Sequence, residues 1–380
     1  MVTNNNIPIV MYHCINDYPK ENPLGFLAYS ADDFRQQLSF FCDHNYTILT
    51  LNELFQRAVD FTIGNERIAV LTFDDGFLDN YLVAAKIMRE FDIKGTIFVN
   101  PGHADEGESR SLADIPKAWG YLNFNEMRQL EKLDLFDIQS HTMTHEMIFS
   151  SNRVIDLYDP SKFDQYYWLI WMLFPETLKQ WHGDVRRFKE HVPTGYPIFE
   201  YDRALSRRKY VPSETFVKKS CHLFYEHGDD ALAKLQDVKA KGNFESEEEY
   251  LTRVRWQLDE SKHVLEAELN KEIFGLCFPG GSYNEHVLQI AEEAGYRLFM
   301  LSSRHQAGDN IRALNNFHSN SFVGLKRISF TKEYPQFLHR KKTVYWNAKL
   351  KVGTFMKDPT STRIMSMART TRNVMQRLWR

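Results

Sequence analysis

The chain has 380 residues, a formal net charge of −3, 43% hydrophobic residues and 14% aromatic residues. This composition supports a packed core and excludes disorder, and the near-neutral charge gives no bulk attraction to nucleic acid. No apolar run approaches the roughly 18 residues of a membrane span, and the polar start Met1–Asn6 lacks the layout of a signal peptide, so the expected location is the cytoplasm.

The first half alternates short apolar strands with amphipathic helices. Ile7 to His13 reads as a strand, and Ser30 caps a helix from Ala31 to about His44. Ile48 to Thr50 is extended and Leu51 to Val59 helical. Ile68 to Phe73 is a buried strand that runs into a turn at Asp74-Asp75-Gly76. A helix over Asn80 to Phe91 and a strand over Gly95 to Val99 follow, then a helix over Asn123 to Lys132 and a strand over Phe136 to Ser140. Repeated β-α units imply a parallel sheet, either a barrel or an open doubly wound sheet.

Residues 150–245 break that pattern. Tyr158, Phe163, Tyr166, Tyr167, Trp168, Trp171, Phe174 and Trp181 crowd one stretch, and a basic run Arg207-Arg208-Lys209 follows. The segment reads as a helical, aromatic-rich insertion between a first barrel part, 1–149, and a second, 246–335. Ser246 and Glu249 form a capping box for a long helix. Strands at Ile273 to Phe278, Arg297 to Ser302 and Gly324 to Phe330 complete the alternation. From 336 to 380 the chain is a basic amphipathic tail. His339 to Arg380 holds 11 Lys/Arg and one acid, with Ile364, Met367, Val374, Met375 and Leu378 on one helical face. Such a tail fits peripheral contact with an anionic membrane. The four cysteines, Cys14, Cys42, Cys221 and Cys277, form no Cys-x-x-Cys pair and read as reduced thiols.

Three strand ends carry chemistry. Asp74 and Asp75 follow a buried strand, where parallel β/α folds place catalytic groups, and adjacent carboxylates there can divide metal binding and base catalysis. His141 and His145 follow another strand at a spacing that puts both imidazoles on one face if the segment turns helically. Two imidazoles and one carboxylate leave open positions on a catalytic zinc. Pro279-Gly280-Gly281 follows a third strand, where glycine lets backbone approach a ligand and Tyr283 can line a sugar pocket.

Together these segments resemble the polysaccharide deacetylase family, whose catalytic unit is the NodB homology domain. Thr72-Phe73-Asp74-Asp75-Gly76 is similar to its first motif, His141-Thr142-Met143-Thr144-His145 to its second, and Phe278-Pro279-Gly280-Gly281 to its third. Ile9-Val10-Met11-Tyr12-His13 also looks like a family segment. The resemblance implies a distorted (β/α) barrel of about seven parallel strands, here with a large insertion and a basic C-terminal tail. It implies a divalent metal, usually zinc, on Asp75, His141 and His145, with Asp74 as base. An N-acetylated sugar or glycan would be the substrate, a precursor or lipid-linked glycan if the protein works in the cytoplasm. Two departures stand out. Cys277 and Phe278 precede Pro279 where the family often has a base-orienting Arg. Leu325-Lys326-Arg327 replaces the Leu-x-His that supplies a general acid, leaving His305 and His318 as the nearby imidazoles for that role. Two other readings compete: a NodB-fold scaffold without turnover, and a hydrolase of a non-sugar amide.

Overall fold

The computed structural model describes residues 6–17, 24–180, 185–236, 238, 241–301, 309–315, 317, 322–330 and 340–367. Seven parallel strands close on themselves: β1 (Ile9–Tyr12), β2 (Ile68–Phe73), β3 (Gly95–Val99), β4 (Phe136–Ser140), β5 (Gly275–Cys277), β6 (Leu298–Leu301) and β7 (Val323–Ile328). Each strand pairs with the next in sequence, and β1 pairs with both β2 and β7, which makes a ring. An eighth strand, Thr47–Leu49, flanks only the first half of β2. The expected distorted (β/α) barrel is the fold.

The strands are apolar on both faces because the ring is filled inside and covered outside. Ile9, Val70, Phe98, Leu298, Met300 and Leu325 pack together with Leu51, Leu54 and Phe55 of helix α1 (Leu51–Val59). Their neighbours Val10, Leu71, Phe73, Val99, Leu276 and Phe299 belong to a separate cluster under the outer helices. Those helices include α2 (Phe124–Lys132), α3 (Glu247–Leu269) and α4 (Glu285–Glu293). The capping box read at Ser246 is formed, with Ser246 accepting from the Glu249 amide. A second box at Asn123 opens α2.

The ring is thinnest between β4 and β5, where the backbone register holds one residue pair, Leu276 opposite Ser140. There the Gln139 side chain takes over: its Oε1 accepts from the Phe274 and Gly275 amides at 3.2 and 2.8 Å. Residues 150–245 leave and return across this seam. The expectation of a helical insertion omits its main feature, an antiparallel hairpin of Met147–Leu157 against Pro197–Arg203. Tyr158, Phe163, Tyr166 and Phe199 bury one face of this hairpin in a core of their own. The composition points to helix because many of the aromatic residues that pack on this strand pair fall in the short helices between its two strands.

The first part of the tail is also structural. Helix α5 (Arg340–Phe355) buries Val344, Ala348 and Val352 and lies against the helix Ala31–Asp43. A further helix covers 359–367, with Ile364 and Met367 exposed, and residues 368–380 of the expected amphipathic face lie outside the described residues. Among the described residues, no helix is long and apolar enough to cross a membrane. The four cysteines are free thiols, as expected.

Glu126 is fully buried in the α2 capping box and is matched by Arg110, whose Nε and Nη2 donate to it at 2.8 and 2.6 Å. The pair pins the loop that carries Tyr121, because Arg110 also donates to the Tyr121 carbonyl at 2.6 Å. Arg110→Met strands that carboxylate. It is expected to cost on the order of 3 kcal/mol in urea unfolding, against no measurable loss for a neutral change at exposed Lys218.

Candidate active site

The C-terminal ends of β1, β2, β4, β5 and β7 bring His13, Asp74, Asp75, His141, Cys277 and Arg327 together. Asp75 holds a left-handed backbone (φ 72°), which turns its carboxylate away from that of Asp74. Gly76 follows, also at positive φ, and a Cβ there would sit 2.9 Å from Val99 Cγ1, so glycine is required for the close turn.

His141 and His145 meet Asp75 without the helical turn read from their spacing. Residues 141–146 are a loop in which Thr142 and His145 take positive φ (66° and 50°). For a β-branched residue that conformation is costly, and surrounding groups enforce it. Asn100 donates to the carbonyls of His141 and Thr142. Gln257 of α3 accepts from the Thr144 amide at 3.0 Å and donates to its hydroxyl at 2.6 Å. His103 donates to the Thr144 carbonyl at 2.9 Å.

The result is a cluster that calls for a cation. Nδ1 of His141 lies 2.7 Å from the Cys277 carbonyl, which can only accept, so Nδ1 carries the hydrogen. In the neutral ring Nε2 is then a lone pair, and it faces Asp75 Oδ1 at 3.3 Å. His145 Nε2 is 3.4 Å from the same oxygen, which is buried and accepts no hydrogen bond. A proton or a metal ion relieves this crowding. Burial pushes the His141 pKa down, but Cys277, Asp75 and Asp74 outweigh it and hold it well above the ordinary histidine value. Burial dominates at His145 and, with Arg203, keeps it well below that value against the pull of Asp75. Burial would raise Asp75, but His145, His141 and His13 hold it far below the usual carboxylate range. The ligand atoms of Asp75, His141 and His145 all lie within 4.8 Å of one another. The three residues therefore fit a divalent metal in donor type, tautomer and spacing.

Asp74, His141 and Cys277 also bring ligand atoms within 4.8 Å of one another. A cation there would meet a guanidinium, because Arg327 binds both oxygens of Asp74 at 2.6 and 2.7 Å. Burial pushes the Asp74 pKa up, and Arg327 more than offsets it, so the carboxylate stays ionised. Arg327 also approaches Cys277 Sγ at 3.0 Å. Reading Leu325-Lys326-Arg327 as a lost histidine missed this: the residue orients the carboxylate beside Asp75 and its two imidazoles. Its only sequence signal is a basic residue at the end of a buried strand, in register with Ile9.

The structure adds His13, which the sequence reading quoted without a role. It follows β1 directly, its carbonyl accepts from Asn80 at 2.8 Å, and its Nε2 lies 3.9 Å from Asp74 Oδ2. Burial lowers its pKa, against Asp75 and Asp74. Gly280 and Gly281 line the cavity over the site. Pro279 is buried beneath them, and the Tyr283 ring lies tilted against Phe278, centroids 4.8 Å apart, packed on the barrel core and outside the cavity lining. The expectation that Tyr283 lines a sugar pocket is therefore not met: after the turn at Gly280 its ring packs on the core. His305 and His318 lie outside the described residues.

Residues 63–161 match the family model for polysaccharide deacetylases. This span carries both the Asp-Asp turn and the histidine loop. Over this span the chain resembles polysaccharide deacetylases. A curated relative from Bacillus subtilis (strain 168), YxkH, provisionally named a polysaccharide deacetylase, is 26% identical over 142 residues. That match covers 37% of this chain and 43% of the relative, so it spans less than half of the relative's length. Two solved structures share the deacetylase fold. A de-N-acetylase of Aggregatibacter actinomycetemcomitans superposes with a TM-score of 0.51 at 14% identity, over 85% of this chain and 95% of that one. The deacetylase domain of BpsB from Bordetella bronchiseptica gives 0.51 at 15% identity, over 86% and 96%. At these identities the likeness speaks to the barrel alone.

Purified protein dialysed against a divalent metal should retain one ion per chain by elemental analysis. His141→Ala and His145→Ala should each weaken uptake by about 100-fold or more, while Asp74→Asn leaves it intact. Equal retention by all three variants would place the ion elsewhere.

Proposed function

We propose that the protein is a metal-dependent N-deacetylase acting on an amino-sugar unit of a glycan. The observation that carries this is the buried, unpartnered Asp75 Oδ1 facing two imidazole nitrogens, directly beside a second carboxylate that is held ionised. Asp75, His141 and His145 would hold the ion, for which zinc suits the two-imidazole, one-carboxylate set. Bound there, a divalent ion supplies Lewis-acid polarisation of the amide carbonyl and lowers the pKa of water.

The chain's own groups do the proton work. Arg327 donates to both oxygens of Asp74 and the Cys277 thiol also donates to Oδ2, so Oδ1 keeps a lone pair for the attacking water. Asp74 takes a proton as the water oxygen bonds to the carbonyl carbon. His13, 3.9 Å from Asp74 Oδ2 and lining the same cavity, receives that proton and passes it to the amide nitrogen as the C–N bond breaks. The oxygen and the other hydrogen of the water leave in acetic acid, which ionises to acetate, and the relayed hydrogen leaves on the free amine. His13 thereby supplies the imidazole whose absence from Leu325-Lys326-Arg327 favoured the scaffold reading.

In an acetate-release assay on N-acetylated oligosaccharides with metal present, Asp74→Asn and His13→Gln should each lower kcat by about 10²–10⁴-fold with little change in KM. Loss of metal retention in His13→Gln would show a different role for that residue. Release from simple acyl amides but from no N-acetyl sugar would favour the non-sugar hydrolase.

The proposal also places the protein in the cytoplasm, against the inner face of the membrane. Ile364 and Met367 are exposed beside Arg363, the composition of an interfacial helix. Because α5 belongs to the barrel wall, the informative truncation ends at 358. It should fold, with a far-ultraviolet spectrum lacking only the signal of the deleted helical residues, and lose co-sedimentation with anionic liposomes; retained co-sedimentation rejects the anchor.

A further inference from the structure

The cavity over the active site is larger and more apolar than an acetylated sugar needs. It encloses about 940 Å³ and includes Asp74, Asp75, His141 and His145 in its lining. That is near the top of the ~300–1,000 Å³ range of small-molecule sites, so a single amino sugar fills only part of it. Leu24, Trp168, Trp171 and Met172 line it from the insertion side of the fold and the loop after β1, and Phe355 lines it from α5. Flat aromatic rings suit sugar faces, but leucine, methionine and phenylalanine together offer a sugar no hydrogen bonds. Phe26 and Trp256, which also line the cavity, are 66% and 47% exposed.

Within this apolar wall stands Arg203, the last residue of the insertion's return strand. Its side chain crosses Gly280, where a Cβ would lie 2.9 Å from Nε, so the Pro-Gly-Gly turn makes room for it. Nη1 donates to Met147 Sδ at 2.7 Å, a weak acceptor. Three other cations of the lining have carboxylates: Lys209 has Glu146, Arg253 has Glu245, and Arg327 has Asp74. Among the described residues, no carboxylate lies within ion-pair distance of Arg203. A half-buried guanidinium in apolar surroundings is costly without an anion, and its planar fork matches phosphate.

The two observations point to one ligand. We propose that the substrate is an amphipathic glycan, an N-acetylamino sugar joined through phosphate to an apolar chain, with Arg203 receiving the phosphate and the Trp168–Trp171–Met172 wall the chain. In a 2-acetamido sugar, C1 and C2 are bonded neighbours. A phosphate on the C1 oxygen is therefore close to the amide on C2, and a cation near the amide-cleaving groups can hold it. A neutral polymer strand offers the guanidinium no anion and the Leu24, Met172 and Phe355 surfaces no apolar chain. This inference rests on the deacetylase reading for the identity of the sugar, but not for the pocket.

The pocket is tested by binding, with farnesyl phosphate, farnesol and inorganic phosphate titrated into the full chain by calorimetry. Farnesyl phosphate should bind at least about 10-fold more tightly than either fragment. Arg203→Gln should weaken it by about 10–100-fold and leave farnesol unchanged, with Arg203→Lys recovering part of the loss. Trp171→Ala should weaken both farnesyl ligands. Farnesyl phosphate that binds no better than inorganic phosphate, or an Arg203→Gln protein that is folded and binds it normally, overturns the inference. Acetate release then separates the two readings. Release from N-acetylglucosamine linked by diphosphate to farnesol, at higher kcat/KM than from chitopentaose, supports both. Release from chitopentaose without farnesyl phosphate binding or inhibition sinks the lipid chain and keeps the deacetylase. Tight farnesyl phosphate binding with no release from any N-acetyl substrate sinks the deacetylase and keeps the pocket.

Discussion

The ion pair between Arg327 and Asp74 is the constraint on which the site depends. Two adjacent aspartates end one buried strand, and both cannot stay charged in a low-dielectric site without separate partners. Arg327 reaches in from the last strand and takes Asp74 bidentately, while Asp75 turns through a left-handed backbone toward the two imidazoles. The guanidinium also touches Thr72 and Cys277, so one side chain ties three strand ends together at the mouth of the barrel. A barrel that failed to close would leave Asp74 as an unpaired buried charge, which makes closure and site assembly one event.

Much of this was legible in the chain because the strands are short apolar runs ended by turns. Ile68–Phe73, Gly95–Val99 and Phe136–Ser140 could be bounded to the residue from pattern alone. The Asp-Asp turn and the histidine pair were legible for the same reason: each follows such a run, at the end where β/α folds do chemistry. The form of the histidine loop was not legible, because i and i+4 spacing also fits a helix face and nothing local announces Asn100 and Gln257, which hold the loop open from other elements. Arg327 was out of reach for a related reason. Its partner is 253 residues away, and a charge pair across a ring leaves no periodic trace. His13 had a trace, a polar residue at a strand end, but its significance needed the distance to Asp74.

The insertion was located by composition and misjudged in form. Its aromatic residues serve two surfaces at once: Tyr158, Phe163 and Phe199 fill its own core, while Tyr167, Trp168 and Trp171 line the cavity with Asp75, His141 and His145. Hydrophobic residues that close a module and residues that line a ligand cavity look alike in a sequence. Only the hairpin geometry, which delivers Arg203 over the Pro-Gly-Gly turn, separates them.

The seam between β4 and β5 has a consequence for how such proteins diversify. With a single backbone pair and a glutamine side chain standing in for the rest of the ladder, the ring does not dictate what lies between these two strands. A lineage can lengthen, shorten or exchange the intervening module without shifting the register of the strands that hold the carboxylates and imidazoles. Bond-breaking machinery and substrate choice can then be inherited separately, one carried by the barrel and the other grafted at its loosest joint.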